Sequence, residues 1–314
     1  MKDPVIGVVG RRIAIGVVVI LGVTAIIFFV LRVLPGNPVD IITADAPTTA
    51  QERQNLIVEF GLNRPVLAQY GSFLWDALHG NFGASFQTRQ PVISEIGQQG
   101  LATVELTAAA MVLTVIFGIG LGVVSALLHD TWADAAIRAL TLLGSSVPII
   151  LSGPLLILLF SFTVHLFPAN GSGSFSELVL PAVSLALFAS GVIIRLVRGS
   201  MLEVMNLEFV TGLRAKGTSE TRIWLRHILR NALVPAVTML GVQLGGLLSG
   251  AVVTETVFGR QGLGSLLVSG IEAKDYPTVQ AIVLIIATAY IVINIVVDLC
   301  YSLLDPRVRT GLAR

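Results

Sequence analysis

The sequence predicts an all-α polytopic membrane protein with six transmembrane helices, and three observations predict it. Mean hydropathy is +0.86 and 54% of residues are hydrophobic. Only 12% are charged, against roughly 25% in an ordinary soluble domain. Six apolar stretches, 13–34, 101–128, 137–166, 178–198, 235–257 and 279–304, reach the necessary length, since about 20 apolar residues span the hydrocarbon layer as a helix. Lipid offers no partners to backbone N–H and C=O groups, so these stretches close their hydrogen bonds internally as helices.

In chain order, residues 1–34 hold a short N-terminal segment and the first span. Arg11-Arg12 before an apolar run imitates a secretion signal. The run is longer than a signal's roughly 7–15 apolar residues, and Leu34-Pro35-Gly36-Asn37-Pro38 makes a poor small-residue cleavage site. Residues 35–100 form an external loop domain, in which turn formers such as Gly80-Asn81-Phe82-Gly83 alternate with Tyr70, Phe73 and Trp75. Residues 101–304 form a core of five spans interrupted by a basic insert, 203–235, and 305–314 form a tail. Lysines and arginines collect in cytoplasmic loops. With both termini cytoplasmic, 14 of the 20 basic residues fall inside, leaving Arg32, Arg53, Arg64, Arg89, Arg260 and Lys274 outside.

Within the spans, Gly118 and Gly122, Gly241 and Gly245, and Gly246 and Gly250 stand four apart. Small residues at this spacing share a face and let helix backbones approach closely. Gln243 lies mid-span, and Tyr290, Asn294 and Asp298 make one stripe on the last helix. A charge at mid-membrane costs about 2.5–3.5 kcal/mol on insertion scales. Gln243, Asn294 and Asp298 are therefore candidates for a translocation path, with inter-helix bonding as the other reading. Glu105 and Glu255 fall near outer ends and need no special function.

Catalytic and metal chemistry find no home in the pattern. His79, His129, His165 and His227 are scattered rather than clustered as a metal site requires. Cys300 is the only cysteine, so an intrachain disulfide is excluded. Ser145, Ser146 and Ser152 lie in a span, without a Gly-x-Ser-x-Gly elbow or an intramembrane histidine base. An ion-coupled secondary transporter would show inverted repeats, and none is evident.

The insert is the segment that demands an explanation. Leu202, Met205, Phe209, Val210 and Leu213 recur at helical spacing over 201–216, and Gly217 can end that helix in the left-handed conformation. Thr218 or Ser219 can cap a second helix, with Glu220 near its positive end. Leu225, Ile228, Leu229 and Ala232 form its apolar side, Arg222, Arg226 and Arg230 its basic side, and Pro235 marks re-entry into the membrane. Anionic headgroups explain the arginines but not a helix break far from both membrane entries. The segment is not a phosphate loop, because Lys216 precedes Gly217 where that loop needs Gly-Lys-Ser/Thr.

The order of short motifs then carries a resemblance. Leu34-Pro35-Gly36-Asn37-Pro38, Gly61-Leu62-Asn63-Arg64-Pro65, Gly80-Asn81-Phe82-Gly83-Ala84-Ser85 and Thr103-Val104-Glu105-Leu106 occupy the first third. Arg214-Ala215-Lys216-Gly217, Arg226-His227, Arg230-Asn231-Ala232-Leu233-Val234-Pro235, Glu255 to Gly264, Asp275-Tyr276-Pro277 and Asp305-Pro306-Arg307 follow. Over nearly its whole length the chain resembles permease subunits of bacterial ATP-binding-cassette importers of the dipeptide/oligopeptide/nickel branch, with the type I importer fold.

The resemblance implies that Thr211, Arg214, Ala215, Lys216, Gly217, Thr218, Ser219 and Glu220 form the coupling helix and turn that meet the ATPase. Thr211-Gly212-Leu213 stand where the wider family begins Glu-Ala-Ala, which removes the glutamate but keeps the glycine turn. Gln261 replaces a proline common before Gly262-Leu263-Gly264. It further implies a cytoplasmic-membrane location and transport by alternating access. Partners would be a second homologous permease, two ATPase subunits carrying ATP and magnesium, an external solute-binding protein and the lipid bilayer, with no nucleic acid. The chain itself would hold no cofactor and no catalytic residue. Its cargo would be di- or oligopeptides, with nickel chelates, glutathione or another small solute as alternatives.

Overall fold

The computed structural model describes residues 4–33, 35–43 and 49–304, with side chains described between 10 and 297 of these. The tail and the side chain of Asp298 lie outside the described residues. Helices dominate, and the only β pairing among the described residues is an isolated bridge between Ala84 and Pro91. The chain divides into two units, Met1–Thr103 with Gln261–Val292, and Val104–Arg260 with Ile293–Arg314.

The first unit begins with α1 (Pro4–Val33), followed by α2 (Pro38–Ile42), α3 (Ala50–Glu59) and α4 (Val66–Leu78). Local chemistry starts two of these short helices. The Asn37 side chain accepts from the Val39 N–H, and Thr49 and Glu52 form a reciprocal capping box. Hydrogen bonds from the Thr49 N–H and hydroxyl hold the Glu52 carboxyl below its ordinary pKa. The start of α5 (Val92–Leu127), all of α12 (Leu263–Glu272) and the start of α13 (Tyr276–Leu304) complete the unit. Leu31, Phe86, Tyr276 and Val279 make one buried cluster, and Val92, Ile96, Leu263, Ala281 and Ile282 another. Buried Asp275 accepts from the Ser85 hydroxyl at 2.5 Å, the Phe86 N–H at 3.0 Å and the Thr278 hydroxyl at 2.8 Å.

The second unit is built around α8 (Phe175–Met205), which packs against α6 (Trp132–Ser146), α7 (Ile149–Leu156) and α11 (Leu229–Val257). Of the expected small-residue faces, the one that carries Gly118 and Gly122 is packed most plainly as a pair. A Cβ placed on Gly118 would stand 2.7 Å from the Ile193 side chain, and one on Gly122 would stand 2.8 Å from that of Val197. Only hydrogen fits at those two positions of α5, so α5 and α8 meet nearly backbone to backbone.

Five long apolar helices among the described residues are candidate spans: Gly10–Val33, Val92–Leu127, Phe175–Met205, Glu220–Val257 and Tyr276–Val297. The single helix expected over 137–166 is corrected. It is a pair, Trp132–Ser146 and Ile149–Thr163, bent by 108°, and counts as a sixth span only if both halves are taken together. Pro148 is the reason, because a proline displaces the preceding residue from helical geometry, and Val147 is extended at φ −78° and ψ 121°. Pro154 removes a further donor within α7, after which Ile157–Thr163 widens into π-helical turns. Two smaller departures follow from the same logic of hydrogen bonding rather than hydropathy. Helix α5 starts at Val92, before its apolar stretch, and α11 continues on both sides of Pro235.

Candidate functional site

The insert leaves α8 at Met205, and a break at Asn206 and Leu207 interrupts the helix expected over 201–216. The Asn206 side-chain amide donates to the Leu202 carbonyl at 3.0 Å, and Leu207 is extended at φ −75° and ψ 145°. This competition between an amide side chain and the backbone ladder is what makes asparagine a helix terminator. A new two-turn helix, α9 (Glu208–Ala215), then begins.

Its end is closed as the glycine requires. Gly217 adopts φ +74°, its N–H donates to the Arg214 carbonyl at 2.9 Å, and the Thr218 N–H donates to the Leu213 carbonyl at 3.1 Å. That pair of bonds is a Schellman motif, which satisfies the orphan carbonyls at the end of α9. Across the turn, the Arg214 guanidinium donates to both Glu220 carboxylate oxygens at 2.7 and 3.3 Å, and this bond raises the arginine's pKa. Ser219 occupies the cap position of α10 (Glu220–Arg222), although its side chain makes no capping bond.

Two faces of the insert now separate. Thr211, Arg214, Ala215, Lys216, Gly217, Ser219 and Glu220 are exposed, with Thr218 half-buried between them. Leu207, Phe209 and Leu225 are also exposed. The inward face is anchored. Val210 is fully buried in one cluster with Ile193, Val197 and Met201 of α8, Ile223, Ile228, and Ala232 and Ala236 of α11. Leu225 is 57% exposed, so the expected apolar side of the second helix is corrected: Ile223 replaces Leu225 inward. Residues Ile223–Ile228 are π-helical, and the extra residue per turn rotates the faces away from a 3.6-residue pattern. Arg222, Arg226 and Arg230 are exposed as expected.

The candidate path residues are not brought to one place in the same way. The Gln243 amide of α11 donates to the Ala189 carbonyl of α8 at 3.1 Å, an inter-helix bond. Asn294 belongs to α13, and it and Tyr290 both have bonding partners. A groove of about 240 Å³ between α11 and α13 is lined by Val237, Gly241, Leu244, Val296 and Val297 among others, and neither Gln243 nor Asn294 lines it. Among the described residues no group of histidine, cysteine, aspartate and glutamate is arranged to hold a metal.

Two ion-paired clusters escaped sequence reasoning. Asp134 of α6 is fully buried, accepts from Arg198 of α8 at 2.8 and 2.7 Å and from the Ser125 hydroxyl of α5 at 2.6 Å, and faces Arg138 at 3.4 Å. It therefore ties together three helices, α8 among them beside the anchor of the insert. At the other end of α11, Arg260 is only 2% exposed and donates to Glu105 at 3.0 Å, while Glu255 is wholly buried. Glu105, expected to need no special function, is thus the partner of a buried arginine, and Glu255 is itself buried. Partners 64 and 155 residues apart leave no periodic signal in a sequence.

Known proteins share this architecture. Residues 118–310 match the family model described as "Binding-protein-dependent transport system inner membrane component". A peptide transport system permease protein of Brucella abortus (strain 2308) is 38% identical over 307 residues, covering 95% of this chain and 98% of that protein. The glutathione transport system permease protein GsiC of Escherichia coli (strain K12) is 38% identical over 290 residues, 91% of this chain and 94% of its own. A chain of the MetNI methionine ABC transporter, in an inward-facing form, superposes with a TM-score of 0.55 over 71% of this chain and 98% of that one; at 18% identity the likeness is one of fold. This chain thus belongs to the family of inner membrane components of binding-protein-dependent transport systems, as the permease subunit of an ATP-binding-cassette importer in which separate subunits hydrolyse ATP.

Proposed function

We propose that this permease forms half of the path by which di- or oligopeptides enter the cell, and that ATPase subunits drive it by gripping the turn from Thr211 to Glu220. The observation that carries the reading is the anchor of α9. Val210 shares one buried cluster with α8 and α11, so a push on the exposed turn is passed to two spans together. Interiors packed at crystal-like density transmit such a displacement rather than absorb it. The cycle is alternating access: two states of the spans differ in how the turn is held, and only a differential interaction with those states can shift their populations. Both termini face the cytoplasm in this reading, as the distribution of arginines favours. A second permease, two ATPases with ATP and magnesium, and an external solute-binding protein complete the transporter, which sits in the cytoplasmic membrane. Asn294, Gln243 and Asp298 are its candidate path residues.

A second reading of the cargo, glutathione, is favoured by the 38% identity to GsiC. Uptake of labelled dialanine and of labelled glutathione in a strain lacking this permease, with and without the restored chain, separates them. Saturable dipeptide uptake that returns with the chain supports the peptide reading. Restoration of glutathione uptake alone would replace it, and restoration of neither would remove both.

A further inference from the structure

The first unit contains a cavity that none of the candidate path residues lines. This cavity, of about 560 Å³, lies among the end of α1, the Glu59–Arg64 turn, α4, the Asn81–Phe86 loop and the start of α13. Its volume lies within the range of small-molecule sites, roughly 300–1,000 Å³. Three arginines, Arg32, Arg64 and Arg89, line it against two carboxylates, Glu59 and Asp76. Arg89 already pairs with Glu59 at 2.7 Å.

Arg32 is different. Its guanidinium lies 3.4 Å from the Phe28 ring centroid and 5.2 Å from that of Tyr276. It donates only to uncharged acceptors, the Gln69 side-chain carbonyl at 3.1 and 2.8 Å and the Phe28 carbonyl at 3.0 Å. Gln280 stands one helical turn beyond Tyr276 on the same face of α13, only 4% exposed. Gln280 lines the same cavity, and its amide nitrogen is buried without a hydrogen-bond partner. A buried donor without an acceptor is destabilising, and buried polar side chains are rarely left so.

From this juxtaposition we propose that the cavity is a binding site for a small oxyanion-bearing molecule, a carboxylate or phosphate monoanion, received by the Gln280 amide and the Arg32 guanidinium. The bound oxygen atoms supply the acceptor Gln280 lacks and the counter-charge Arg32 lacks. The rings of Phe28, Phe60 and Tyr276 line the same cavity and supply it with apolar wall. The carboxylate of a free peptide and the phosphate of a lipid headgroup share this chemistry. The site stands on the first unit's own geometry and does not depend on which solute the spans carry.

The test uses the full chain, with the subunits that co-purify with it, in phosphatidylcholine nanodiscs. Dialanine, acetate and inorganic phosphate are titrated by calorimetry into the native protein and into the Gln280→Leu variant. Leucine removes the unpartnered amide at similar volume, so thermal stability should hold or rise while affinity for the oxyanion falls about tenfold or more. A second arm repeats the titration in nanodiscs containing phosphatidylglycerol. If the source is lipid, that lipid raises the thermal midpoint of the native protein but not of Gln280→Leu, and it competes with the soluble anions. Equal affinity in both proteins for every soluble anion, together with an equal response to phosphatidylglycerol, would overturn the proposal. Uptake is not the readout, so failure here leaves the peptide reading standing, and failure of uptake leaves this site standing.

Discussion

Gly217 shows how a single position can be fixed by backbone geometry alone. Its φ is +74°, and a Cβ built on it would meet no atom within 4 Å. Space inside the chain therefore tolerates any side chain, whereas the left-handed conformation costs most residues roughly 1–2 kcal/mol. Asparagine visits that region readily. Gly217→Asn is expected to keep near-native uptake, and Gly217→Val to destabilise the turn by about 1–2 kcal/mol and lower the solute moved per ATP hydrolysed. Hydrolysis and uptake measured together in reconstituted vesicles, at matched protein level, check this. A valine variant as well coupled as the native protein would show that the Schellman turn is dispensable. The glycine and its role as a helix end were legible in the sequence, because few residues other than glycine close such a turn.

Among the elements, α6 and α8 are held by an interaction that hydropathy cannot announce. Asp134 is fully buried, and its charge is balanced by Arg198 and Arg138 and bonded to Ser125 of α5. Removing one partner of a buried pair strands the other, at about 3–5 kcal/mol. Arg198 keeps some solvent access, so Asp134→Ala is expected to cost about 3 kcal/mol, the lower end of that range. The midpoint of thermal or denaturant unfolding in nanodiscs reads this, and a variant as stable as the native protein would mean the cluster is not what holds α6 to α8. Long apolar runs placed the spans, since burial of 20 residues in lipid is a property of composition. Pro148 broke a helix that hydropathy ran together and Asn206 one that helical spacing did, because each acts on the local backbone and leaves the apolar pattern unchanged. The π-helical turns of 223–228 shifted Ile223 inward for a related reason, the 3.6-residue period being the assumption behind the expected face.

On the scale of the whole molecule, the order of motifs along the chain carried the family, and the match over residues 118–310 together with 38% identity over 95% of the chain bears it out. Pairings such as Asp134 with Arg198, or the cavity that gathers Arg32 and Gln280, were not legible because they join segments distant in sequence. What the subunit needs from outside is energy, and the central claim is that it receives this through one exposed turn anchored to two spans. The most direct measurement replaces Cys300, the chain's single cysteine, with serine, and introduces cysteine at Ala215 or Ser219. Oxidative cross-linking in intact cells, against ATPase subunits bearing a cysteine scanned over their membrane-facing surface, should capture an ATPase from both positions, with a yield that changes when ATP is trapped. Capture from neither position, with the variant chain present at native level in the membrane, would contradict the account.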